Sequence, residues 1–77
     1  MKIWEYEDRH VKIIDDDGRI HIGFIEFYTS ELDEPDGIAT ISLRPDGTTG
    51  YLIDFTESDI ASIEVIPSST LAVAHAV

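Results

Sequence analysis

The chain has 77 residues, no cysteine, and a formal net charge of −11 from 16 acidic and 5 basic side chains. A domain of this length buries only about 60% of the surface that its unfolded form exposes, so its core alone gives marginal stability. Because disulfides and a Cys/His metal cluster are lacking, oligomerisation is the expected additional source of stability. The acidic excess disfavours nucleic-acid binding, which depends on Lys and Arg displacing counterions from phosphates.

The N-terminal extension, residues 1–8, has neither the basic start nor the apolar centre of a signal peptide. Trp4 and Tyr6 alternate with acidic residues, which favours an extended segment over the alternative of a helical turn. No apolar run in the chain approaches the roughly 20 residues that span a bilayer, and the lack of cysteine gives no reason for an oxidising compartment. These features predict a soluble cytoplasmic protein with no membrane partner.

A β-hairpin is predicted after the extension. Val11 and Ile13 alternate with mostly polar positions, and Asp17-Gly18 suits the two central positions of a type I′ turn. With that dipeptide at the turn centre, Ile13 faces Ile22 and Val11 faces Phe24. Because side chains alternate between the two faces of a strand, this register places one set of apolar residues together on the core face: Val11, Ile13, Ile20, Ile22 and Phe24.

The rest of the chain continues the series of short strands. The second strand, residues 19–29, is long, and Gly23 inside it predicts a bend that lets it contribute to both halves of a curled sheet. Further strands are expected at residues 38–44, 51–55 and 60–66, with a tight or 3₁₀ turn at 56–59. Five short strands predict an all-β domain, a strongly bent five-stranded antiparallel barrel over residues 9–66. The apolar C-terminal tail, residues 67–77, is expected to be disordered or docked on a neighbouring molecule.

The strand plan of residues 9–66 resembles that of the Sm-like (LSm) family, whose domain is a small SH3-like barrel. The first family motif corresponds to the apolar frame of residues 23–27 and 38–43, and the second corresponds to residues 55–60. Two departures weaken the implied RNA site. Thr56 and Glu57 stand where the family has Arg-Gly, and the loop at 31–36 is acidic where the family carries an Asp and an Asn that hold a base. The resemblance therefore implies the fold and a degenerate nucleotide site at Thr56, Glu57 and Ser58.

Sm-like subunits assemble by pairing the fourth strand of one copy with the fifth strand of the next, so the resemblance implies a homo-oligomeric ring. The predicted strands at 51–55 and 61–66 are apolar with few charges, which is typical of edges that pair with another chain. A head-to-tail contact closes into a ring when its rotation permits. The predicted interface residues are Tyr51, Leu52, Ile53, Phe55, Ser62, Glu64 and Ile66.

The sequence predicts no catalytic residue, no metal ligand set and no cofactor. His10 and His21 lie on neighbouring strands but lack a third ligand, so both are interpreted as surface histidines. The acidic runs at 15–17 and 33–36 lack the ligand spacing of an EF-hand loop, although a weak divalent site in the second run stays open. Carboxylates at exposed turns stay ionised, and no nucleophile elbow is present.

The functional prediction is a non-enzymatic Sm-like protein that self-associates and acts as a scaffold or protein-interaction module. Its expected partners are further copies of itself and another protein. The alternative is an RNA-binding Sm-like riboregulator, which the acidic charge and the altered second motif disfavour.

Overall fold

The computed structural model of the protein describes residues 1–67, and the prediction for the tail beyond Pro67 lies outside them. Five antiparallel strands in this range form a single sheet, and the helical segments are two 3₁₀ helices, Ile3–Tyr6 and Glu57–Asp59. The strands are β1 (His10–Asp15), β2 (Ile20–Thr29), β3 (Thr40–Pro45), β4 (Ile53–Thr56) and β5 (Ile60–Val65). The prediction of an all-β domain is confirmed. The preference for an extended N-terminal segment is wrong, because the first 3₁₀ helix buries Ile3 in the core.

The sheet has the strand order β4-β3-β2-β1-β5. Its longest strand, β2, pairs with β1 through its first half and with β3 through its second half, as predicted. Gly23 belongs to both pairings, since it lies opposite Val11 on one side and Pro45 on the other. A bulge at Glu26 shifts the register between Ile25 and Phe27. One strand thereby serves both halves of the sheet.

The hairpin between β1 and β2 has a three-residue loop, not the two-residue type I′ turn that the sequence predicted. Asp15 N–H donates to the Arg19 carbonyl at 2.9 Å, and Gly18 N–H donates to the Asp15 carbonyl at 3.0 Å. Gly18 alone in this loop has a positive φ, of 82°, whereas a type I′ turn needs positive φ at both central residues. The Asp15 carboxylate holds the loop by accepting the backbone N–H groups of Asp17 and Arg19, both at 2.9 Å.

This loop shifts the hairpin register by one residue, so Ile13 lies opposite His21 and Val11 opposite Gly23. A shift of one residue moves a whole strand's side chains to the other face of the sheet. Ile20 and Ile22 are therefore exposed, at 59% and 40%, instead of lying in the core as predicted. The buried apolar core consists of Ile3, Val11, Ile13, Ile25, Ile41, Leu43, Phe55 and Ile60.

The sheet is strongly curled. The rings of His21 on β2 and Phe55 on β4 lie edge to face with centroids 5.1 Å apart, although β3 separates the two strands. In a flat sheet the two residues would be about 20 Å apart or more, because Phe55 lies in line with Ile41 and Tyr28, and Tyr28 is seven residues along β2 from His21. The strand pairing of residues 1–67 does not join β4 to β5, so both remain edge strands.

Candidate functional site

The edge at β4 carries backbone groups that point away from the sheet. Thr56 N–H donates to the Asp59 carboxylate at 2.9 Å, and Ser42 Oγ donates to Asp54 Oδ1 at 2.7 Å. These contacts indicate that Thr56 and Asp54 form non-hydrogen-bonded pairs with Thr40 and Ser42 on β3. In an antiparallel ladder such pairs alternate with hydrogen-bonded pairs. The alternation directs the N–H and C=O of Asp54 to the free edge, whereas Ile53 and Phe55 use their backbone groups to bind β3.

The backbone groups at the free edge of β5 can be identified from the same alternation of pairs. Ile66 N–H donates to the His10 carbonyl at 2.9 Å, so Ile66 and His10 form a hydrogen-bonded pair of the ladder between β5 and β1. By alternation the backbone groups of Ser62 and Glu64 also bind β1, and those of Ile63 and Val65 face outward. Val65 is 43% exposed and Ile63 is half-buried. These two residues present the hydrogen-bonding groups that another strand would meet.

The predicted interface residues fall into three environments. Tyr51 and Leu52 are exposed immediately before β4, at 53% and 41%. Phe55 is 4% exposed with its ring against His21, so its side chain belongs to the core. The remaining members, on or beside the two edge strands, are half-buried or exposed: Ile53, Ser62, Glu64 and Ile66.

A depression of about 410 Å³, lined by both polar and apolar residues, brings Phe27 on β2 together with Tyr51 and Leu52, the two residues before β4. Phe27 is 55% exposed and was not among the predicted interface residues, because the bulge at Glu26 that turns it outward has no clear signal in the sequence. Arg44 lies at the rim, where its Nε donates to Glu26 at 2.9 Å. We call Phe27, Tyr51 and Leu52 the β4 apolar patch.

The degenerate nucleotide site forms the second 3₁₀ helix and its N-cap. Thr56 caps this helix through its N–H and Oγ1, both of which donate to Asp59 Oδ2, at 2.9 and 3.0 Å. Glu57 and Ser58 line a cleft of about 580 Å³ that also contacts Trp4. Among residues 1–67, no Lys or Arg lines this cleft, and Glu57 Oε1 accepts a hydrogen bond from the Met1 amino group at 3.1 Å. The electrostatics of the cleft therefore oppose a phosphate group.

Both histidines of the strands differ from the predicted surface histidines, because each is paired with a carboxylate. His10 is 8% exposed and its Nε2 lies 2.8 Å from Asp46 Oδ2, across β2. His21 shares the sheet face of Ile13, and its Nε2 lies 2.8 Å from Asp15 Oδ2. The first pair joins β1 to the residue that follows β3, and the second joins β2 to the end of β1.

Three neighbouring carboxylates at the β1–β2 loop, Asp15, Asp16 and Asp17, place oxygens within 4.8 Å of one another. The hydrogen bond from His21 lowers the pKa of Asp15 below its ordinary value of 3.8, and the N–H groups of Arg19 and Asp17 lower it further. Since the Asp15 carboxylate already binds a ring and two backbone groups, its position is explained by the architecture of the loop.

No protein-family model, curated protein or solved structure matches the chain. Within residues 1–67, no helix is both long enough and apolar enough to cross a membrane.

Proposed function

We propose that the protein is a non-enzymatic Sm-like small barrel that self-associates through its two sheet edges and serves as a scaffold. The observation that carries the proposal is the position of β4 and β5 at opposite ends of one curled sheet, each with backbone groups facing outward. Unpaired strand edges are templates for pairing with another chain. Pairing β4 of one copy with β5 of the next would continue the sheet from molecule to molecule.

The two edges are different surfaces, so the proposed contact is head-to-tail. Such contacts close into a ring when the rotation between neighbours permits, and otherwise build a filament. Strong curling of the sheet favours ring closure, because each copy rotates the orientation of the next copy relative to itself. We therefore propose a closed homo-oligomeric ring.

The side chains at the two edges are suited to this contact. The β4 apolar patch includes Leu52, two residues before Asp54 in the chain, and Val65 offers an exposed apolar side chain on β5. Burying apolar surface contributes about 25 cal/mol per Å², which adds to the few hydrogen bonds that a strand as short as β4 can form. The hydrogen bonds set the register and the patch supplies most of the affinity.

Protein is the proposed partner class in preference to RNA. The carboxylate of Glu57 lines the cleft between the two 3₁₀ helices and would repel a phosphate group there. The chain's net charge of −11 also repels a phosphate backbone. A gel shift with uridine-rich and adenine-rich RNA at low salt should show no retardation at micromolar protein. Submicromolar binding would instead favour the riboregulator.

The proposed assembly is tested by size-exclusion chromatography with multi-angle light scattering over a wide concentration range. The expected result is a discrete species whose mass is a fixed multiple of the monomer mass. A strict monomer at tens of micromolar would overturn self-association, and a continuous mass distribution would overturn ring closure.

A further inference from the structure

We infer that the cleft between the two 3₁₀ helices binds the ammonium group of a lysine side chain in a basic peptide. The cleft has a volume of about 580 Å³, within the range of about 300–1,000 Å³ that is usual for ligand sites. Its walls come from the first 3₁₀ helix, the end of β2, the segment before β3 and the second 3₁₀ helix. Asp54, Ile63 and Val65, which carry the free backbone groups of the sheet edges, are not among the described residues that line this cleft, and the inference goes beyond self-association.

The charges that line the cleft select a cation. Its ionisable side chains include the carboxylates of Glu31 and Glu57 and no Lys or Arg. The Met1 amino group lies 3.1 Å from Glu57 Oε1, which shows that this carboxylate is placed to accept an ammonium group. Within residues 1–67, Glu31 forms no salt bridge. A lysine entering the cleft would meet Glu31 and exchange with the Met1 amino group at Glu57.

The apolar part of the cleft suits the aliphatic stem of the same side chain. Trp4 is 54% exposed, and Tyr28, Ile38 and Ala39 contribute to the same walls. Lysine commonly packs its methylene groups along apolar surface while its charged end stays near water or a carboxylate. An ammonium near the indole face gains a cation–π attraction as well, and tryptophan is the strongest aromatic partner for it. An anionic or purely apolar ligand would use only part of this arrangement.

Trp4 is the only tryptophan of the chain, so its fluorescence reports binding at the cleft directly. The probe is a blocked pentapeptide, acetyl-Gly-Leu-Lys-Leu-Gly-amide, and its control is the same peptide with norleucine in place of lysine. The lysine peptide should change Trp4 emission saturably, and the norleucine peptide should bind at least about fivefold more weakly, as expected for losing a charge-assisted contact of about 1 kcal/mol.

Two variants locate the binding within the cleft. Glu57→Gln and Glu31→Gln should each weaken the lysine peptide by about three- to fivefold, the effect of removing one partly exposed ion pair. Glu64→Gln, on β5 and outside the residues that line the cleft, removes the same charge from a similarly exposed side chain and should change affinity by less than about 1.5-fold. Far-ultraviolet circular dichroism of each variant checks that the sheet is intact.

Three results would overturn the inference: no change in Trp4 emission, equal binding of the norleucine peptide, or a Glu64→Gln effect as large as that of Glu57→Gln. The last result would show attraction to the overall negative charge and not to the cleft. Light scattering on the same samples separates this inference from self-association. A monomer that binds the lysine peptide contradicts only edge pairing, and a ring that ignores the peptide contradicts only the lysine site.

Discussion

Gly23 is the residue on which the curled sheet depends most directly. It is buried where β2 changes partner from β1 to β3, and a Cβ at this position would overlap the backbone carbonyl of Arg44. Backbone cannot move aside as a flexible side chain can. We expect Gly23→Ala to lower the free energy of unfolding by about 3 kcal/mol or more, at the upper end of the cost of overpacking. Urea unfolding followed by circular dichroism measures this loss.

Gly47→Ala is the matched control, because it adds the same methyl group in open space at a φ of 77°. Its expected cost is about 1–2 kcal/mol, which comes only from the left-handed backbone conformation. Equal losses in the two variants would show that Gly23 is needed for backbone freedom and not for close approach of the two strands.

Asp15 links the stability of the hairpin to acid pH. Its pKa is lowered in the folded protein, chiefly by the hydrogen bond from His21, so the folded state holds its proton less tightly than the unfolded state does. The stabilisation is complete above the ordinary pKa of 3.8 and is lost as the pH falls from there through the lower folded pKa. Asp15→Asn should therefore unfold more readily than the parent at pH 6, with the difference shrinking toward pH 2.5. A difference that stays constant over this range would contradict the proposed linkage.

The strand edges can be tested with proline, which removes a backbone donor. Asp54→Pro removes the N–H that faces the free edge of β4, and an edge strand tolerates proline on that side. We expect this variant to remain folded and to lose self-association, measured by light scattering. Asp54→Ala keeps the N–H and loses the Ser42 hydrogen bond, worth about 1 kcal/mol, so it should still assemble.

The neighbouring substitution Ile53→Pro gives the contrasting result. Ile53 uses its backbone groups to bind Leu43 on β3, so proline there should damage the fold itself. If Asp54→Pro assembles as well as Asp54→Ala does, the β4 edge is not the interface. If Ile53→Pro is as stable as Asp54→Pro, then the backbone groups of Ile53, and not those of Asp54, face the free edge of β4.

The strands could be predicted from the sequence because alternation and Gly turns act locally. The register of the first hairpin could not, since Asp17-Gly18 fits both a two-residue and a three-residue loop. In the observed loop the Asp15 carboxylate accepts two backbone N–H groups, which favours the longer loop and has no signature in the alternation pattern. The β4 apolar patch was predicted in part: Tyr51 and Leu52 were expected as interface residues within the fourth strand and instead lie just before it, whereas Phe27 depends on a bulge. The cleft could not be predicted, because it joins segments far apart in the chain.

For the whole molecule, charge and surface apolarity act in opposite directions. The net charge of −11 makes copies repel one another, while exposed apolar residues on and beside the sheet favour association. The proposed ring places these acidic subunits in contact, so assembly requires that edge pairing and apolar burial outweigh the repulsion. The balance between these forces depends on salt, since screening weakens repulsion and leaves burial of apolar surface largely unchanged.

Salt should therefore promote assembly. The Debye length falls from about 30 Å at 0.01 M to about 10 Å at 0.1 M, so raising sodium chloride over this range should lower the concentration needed for half-assembly, measured by light scattering. RNA binding would show the opposite dependence, because salt weakens contacts to phosphate. Asp54→Pro serves as the control and should stay monomeric at every salt concentration, which separates edge pairing from unspecific precipitation. Dissociation of the parent assembly with rising salt would mean that ion pairs between copies, and not strand edges with their apolar patch, hold the subunits together.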